Sequence, residues 1–134
     1  MSLRVFLIAF VLTGVMAEKG TADNTKPADL ARARAEAARE TYEGILLRRT
    51  QQPAESPLEA VYQWSRRWME AEQSLAPDKA GKAAALRGHL ERMRKLETTT
   101  AEHRKGGFAA AFEVSQTRFY RIEAELWLVE MGTK

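Results

Sequence analysis

The sequence predicts an all-α fold: an antiparallel four-helix bundle, written as two coiled-coil-like helical hairpins that follow a cleaved signal peptide. Three observations carry that expectation. Ala, Glu, Arg and Leu, all strong helix formers, dominate from residue 28 onward. No short run alternates β-branched with polar residues as a strand does. Prolines and glycines gather at a few breaks, at Pro53 with Pro57, at Pro77, at Gly106-Gly107 and at Gly132, leaving long uninterrupted segments between them.

The first segment is expected to be removed. MSLR supplies a positive start at Arg4, VFLIAFVLTGV gives eleven residues without a charge, and Val15-Met16-Ala17 is a small-residue cleavage site before Glu18-Lys19. Eleven apolar residues fall short of the roughly 20 that span a bilayer, so residues 1–17 read as a secretory signal and not an anchor. A polar leader, 18–27, is expected to be disordered. The helical domain then covers 28–132, as hairpins at about 28–75 and 78–131.

Each helix has its own signals. Pro27 suits a first helical turn, and the first helix is expected over 28–49, with Ala31, Ala35, Ala38, Tyr42 and Ile45 on one face. TQQPAESP breaks it, and Ser56-Pro57 with Glu59 opens the second, over 57–75. There Val61, Trp64, Trp68, Ala71 and Leu75 share a face, so WSRRW reads as one buried aromatic stripe and one wet arginine face. Ala76-Pro77-Asp78 turns into the third helix, 78–105, whose apolar side is Leu86, Leu90, Met93 and Leu96. Gly106-Gly107 stops it. The fourth, 108–131, is expected to bury Phe112, Phe119, Ile122, Leu126 and Val129, with Val114 and Leu128 widening the stripe.

Composition excludes more than it selects. With no cysteine in an exported chain there is no disulfide framework, thiolate nucleophile, cysteine zinc site or c-type haem. The chain has 21 Lys+Arg against 18 Asp+Glu, and loss of Arg4 with the signal leaves 20 against 18. Both signs are interleaved, as in ARARAEAARE, where a nucleic-acid binder would show a one-signed stripe; no nucleic-acid partner is expected.

A faint internal echo runs through the helices. EAEQSL at 70–75 resembles EAELWL at 123–128, an offset of 53 that also places Val61 on Val114 and Ala71 on Ala124. The run EHRKGGFAAAFEVSQTRFYRIEAELWLVE, through Arg104, Gly107, Glu113-Val114, Ala124-Glu125 and Leu128, resembles the repeat of TolC-type outer-membrane efflux proteins. That resemblance implies a duplicated helical hairpin and a periplasmic or cell-envelope location. It does not imply a channel, because the family's lipid-facing β-strands have no counterpart here.

No motif for catalysis is present: no Gly-x-Ser-x-Gly, phosphate-cradling loop or His-Glu-x-x-His. The only histidines, His89 and His103, lie fourteen residues apart on the third helix, about 21 Å along its axis, too far to share a metal. Neither follows a glutamate by three, so the di-iron bundle signature is absent, and both read as partly exposed residues on a polar flank. Met69, Met93 and Met131 are scattered and read as core filler. No catalytic residue, metal site or cofactor is expected. The chain reads as an exported scaffold or adaptor that meets a protein partner or itself, with peripheral membrane contact at most. The expected contact surface is on the fourth helix: Phe108, Phe112, Phe119, Tyr120 and Trp127. A ligand- or metal-sensing bundle is the alternative.

Overall fold

The computed structural model describes residues 26–132. The expected signal peptide (1–17) and all but the end of the leader lie outside the described residues. Four helices follow in order: α1 Pro27–Gln51, α2 Leu58–Leu75, α3 Lys79–Lys105 and α4 Ala111–Gly132. No strand occurs among the described residues, and no helix among them is long and apolar enough to cross a membrane.

Local chemistry sets the helix ends. Asp78 caps α3, its carboxylate accepting from the Gly81 N–H at 2.8 Å, which satisfies one of the free donors of the first turn. At the far end of α3, Phe108 N–H bonds the His103 carbonyl at 2.8 Å and Gly107 N–H the Arg104 carbonyl at 3.1 Å. This is a Schellman turn, and Gly107 at φ +80° supplies the left-handed residue it needs. Glu113 reaches back to the Ala110 N–H at 2.7 Å, closing half of a capping box at the start of α4.

Short connections make sequential helices antiparallel. α1 lies along α2, α2 along α3 and α3 along α4, while α2 touches α4 more lightly. α1 makes its close backbone approach to α2 alone. It reaches the first turn of α4 through Arg49, a buried side chain whose guanidinium donates to the Pro53 carbonyl (3.2 Å), to the Ser56 carbonyl and to Glu113 (3.1 Å). One planar cation thus ties the end of α1, the α1–α2 turn and α4 together.

The core has two parts. Tyr42, Leu58, Val61, Tyr62, Met93, Leu96 and Tyr120 form the larger, edged by Ile45, Leu46, Trp64 and Trp68. Met69, Ala85 and Leu86 form the smaller, covered by Trp127, Leu128 and Met131. The apolar faces expected of α1 and α3 point inward. On α2, Val61 and Ala71 are fully buried and the two tryptophans are half-buried at the α1 side, where Trp68 meets Tyr42 at 5.7 Å. Arg67 lies over Trp64 at 4.6 Å and Arg92 over Trp68 at 3.9 Å; Leu75, expected inside, is exposed.

The expectation for α4 is overturned. Phe112, Phe119, Ile122, Leu126 and Val129 are all exposed, and the buried residues of this helix are Thr117, Tyr120 and Ala124. The reason is steric and polar together. Where α4 lies against its neighbours, Ala124 and Thr117 allow close backbone approach, and the buried hydroxyls have internal acceptors. Thr117 donates within its own helix, to Glu113 or Val114 carbonyl oxygen, and Tyr120 donates to Glu59. A satisfied hydroxyl costs little to bury.

Candidate functional site

Two regions of the described chain stand out: a polar network inside the bundle and an apolar row outside it.

The network joins α2, α3 and α4. Tyr62 and Tyr120 stack face to face, and their hydroxyls donate to Glu123 and Glu59 respectively. Below them, the Ser65 Oγ lies 2.8 Å from His89 Nδ1 and accepts from Arg92 Nε at 2.7 Å. Arg92 also donates to the Ser65 carbonyl at 3.2 Å. With Arg92 supplying a proton to Oγ, the Ser65 hydroxyl is free to donate to Nδ1, which leaves the imidazole proton on Nε2. That atom is buried without a hydrogen-bond partner, and the ring stacks on Trp127 at 5.9 Å.

Burial first, and the nearby Arg92 and Arg66 next, push the His89 pKa down to about 4. The imidazole is therefore neutral at ordinary pH. This corrects the expectation of a partly exposed residue on a polar flank for His89, which is fully buried; His103 is partly exposed as expected, with its Nδ1 shielded from solvent. A serine beside a histidine has the outline of a nucleophile and its base. Both residues are fully buried here, however, and Ser65 is held by Arg92, so a substrate carbonyl has no approach to Oγ. Among the described residues no three His, Cys, Asp or Glu side chains gather as metal ligands would.

The outer region is a row on α4. Phe112, Phe119, Ile122, Leu126 and Val129 follow one another at steps of seven, three, four and three, the a and d positions of a heptad, with Ser115 filling the vacant d. Phe112 is 70% exposed and Phe119 61%. The fully buried Thr117 and Ala124 occupy f, directly opposite. α4 thus carries two faces: an inner one spent on the bundle and an outer, coiled-coil-patterned one. Phe108, in the Gly106-Gly107 turn before α4, is also exposed. The flanks of the row carry Arg118, Glu123, Glu125 and Glu130. Arg121, half-buried, is occupied by Glu97 and by Glu125 at 2.8 Å.

Of the residues expected as a contact surface, Phe108, Phe112 and Phe119 lie outside together. Tyr120, only 4% exposed, and half-buried Trp127 belong to the interior and leave the set. Sequence reasoning placed Ile122, Leu126 and Val129 in the core, and they join the outer row. Beneath Trp127, an open apolar cleft of about 430 Å³ is lined by Met69, Leu86 and Met131 together with Gln73.

No protein-family model, curated protein or solved structure matches the chain.

Proposed function

We propose that this protein is an exported, non-catalytic helical scaffold or adaptor of the cell envelope, acting by helix-to-helix contact through the outer face of α4. One observation carries the reading: a heptad-spaced row of large apolar side chains that the bundle itself does not cover. Water-exposed apolar surface of this extent is costly unless another surface removes it from solvent. A coiled-coil pattern specifies a helix as the surface that fits. The envelope location rests on the expected signal peptide and on the resemblance to efflux hairpins, which are independent of the row.

A photo-reactive phenylalanine analogue placed at Phe112 or Phe119 in cells tests this. Protein adducts from those positions and none from exposed Arg87 on α3 are expected. Vanishing adducts at both phenylalanines count against the reading. The cleft beside Trp127 favours a second reading, a site for a small apolar ligand. A ligand-dependent rise in melting temperature that Met131→Lys abolishes is its signature.

A further inference from the structure

The geometry points to α4 of a second copy of this chain, laid antiparallel, as the occupant of the outer row; this rests on the contact reading above and names its partner. Two copies of α4 crossed head to tail about the midpoint between Tyr120 and Arg121 place every row residue against a row residue. Phe119 meets Ile122, Phe112 meets Val129, and Ser115 meets Leu126, each pair occurring twice by the two-fold axis. Each layer then sets a large side chain against a smaller or branched one.

Flanking charges select the same arrangement. In an antiparallel pair like flanks face each other, so Arg118 stands opposite Glu125, twice, and Gln116 opposite Glu123, twice. A parallel pair instead sets Arg118 beside Glu123, which attracts, but also Glu125 beside Glu130, which repels, and it stacks Ser115 on Ser115, which leaves a gap. Arg118 is available for the exchange, and Glu125, which bridges Arg94 and Arg121 of its own chain, is shared with it. The own-chain contact of Arg118 with Glu97 is long, at 3.6 Å, and its side chain is 61% exposed.

The row itself presents on the order of 550 Å² of surface, and exposed Phe108 just before α4 about 150 Å² more. The sum lies at the lower end of the roughly 600–1,000 Å² that each partner of a specific interface buries.

Light scattering of the purified chain at micromolar concentration is expected to give twice the chain mass. Phe119→Asp should give a monomer with unchanged helical circular dichroism. Arg118→Glu and Glu125→Arg should each weaken the dimer roughly tenfold, and the two together should restore it; in a parallel pair Glu125→Arg would instead strengthen the dimer by facing Glu130. Because the chain has no cysteine, introduced ones report alone. Ser115→Cys with Leu126→Cys should form an intermolecular disulfide, and Ser115→Cys alone should not.

A wild-type monomer at tens of micromolar (roughly) overturns the proposal. So does cross-linking of Ser115→Cys by itself, which marks a parallel pair. Photo-adducts at Phe119 to a different protein, with no self-adduct, overturn self-pairing while leaving the contact reading intact. Flotation with neutral lipid vesicles, without protein adducts, overturns both.

Discussion

Tyr62 on α2 and Tyr120 on α4 stack with ring centroids 4.1 Å apart and planes 11° from parallel. Each donates its hydroxyl to a glutamate on the other's helix, Tyr62 to Glu123 and Tyr120 to Glu59. Since 59 pairs with 120 and 62 with 123, α2 and α4 run parallel, as an up-down-up-down order requires. Loss of the Tyr62 hydroxyl takes the donor from Glu123, and loss of the Tyr120 hydroxyl leaves Glu59 with Gln63 as its remaining side-chain donor. Tyr120→Phe is expected to cost about 2 kcal/mol, as for a charge-assisted bond, read from urea unfolding. An unchanged midpoint would show that the bond forms only transiently.

The same pair sets an alkaline limit. Burial, then the bonded Glu123, pushes the Tyr62 hydroxyl up to about 12, and burial with Glu59 raises Tyr120 further. A raised folded-state value means the unfolded chain ionises first. Stability is therefore full below pH ~10 and is lost as pH climbs toward the folded value. Ellipticity and tyrosinate absorbance followed together should change as one cooperative step. Tyrosinate forming well before ellipticity falls would contradict the buried pair.

His89 sets the acid side, with the opposite sign. Its folded value of about 4 lies below the ordinary 6.5, so the fold favours the neutral ring. The contribution is complete above pH 6.5 and is lost as pH falls toward 4. Arg92 and Arg66 face the ring and oppose its charging; Glu59, whose own pKa is lowered chiefly by the Tyr120 bond, begins to lose its contribution as pH falls below the ordinary 4.5. Unfolding free energy should fall by about 3 kcal/mol over that window, and His89→Leu should flatten the profile. A wild-type profile flat from pH 7 to 4 would refute a buried neutral imidazole.

Arg49 and Arg48 are neighbours with different tasks. Arg49 is buried on two carbonyls and Glu113, and Arg48 is exposed. Arg49→Ala should cost about 3 kcal/mol because Glu113 and the Ser56 carbonyl lose their partner. Arg48→Ala should stay within about 0.5 kcal/mol. Equal effects in thermal melts would mean the Arg49 contacts are not held in solution.

Much of this fold was legible in the residues. Prolines and paired glycines marked three connections to within a few positions, because a ring without an N–H and a left-handed turn have few substitutes. The apolar faces of α1 and α3 followed from spacing alone, and that of α2 only in part, since Leu75 is exposed while Tyr62, Ser65 and Met69 are buried. α4 misled because it has two stripes, and its stronger one was assigned to the core on hydrophobicity. What decided the matter was tertiary: Tyr120, Thr117 and His89 could go inside only because Glu59, a helix carbonyl and Ser65 were there to receive them. Those partners lie on other helices or depend on backbone geometry, and spacing along one helix does not reveal them. Of the residues named for a contact surface, Phe108, Phe112 and Phe119 have the exposure such a surface needs, whereas Tyr120 is buried and Trp127 half-buried.

The account stands on which way α4 faces, and adjacent residues Phe119 (61% exposed) and Tyr120 (4%) report it most directly. The measurement is chemical unfolding of Phe119→Ala and Tyr120→Ala in the Phe112→Asp background, where the outer row can no longer pair. Tyr120→Ala is expected to cost about 3 kcal/mol or more, and Phe119→Ala under about 1 kcal/mol. The reverse order would put the phenylalanine row inside the bundle and leave no free face for any partner.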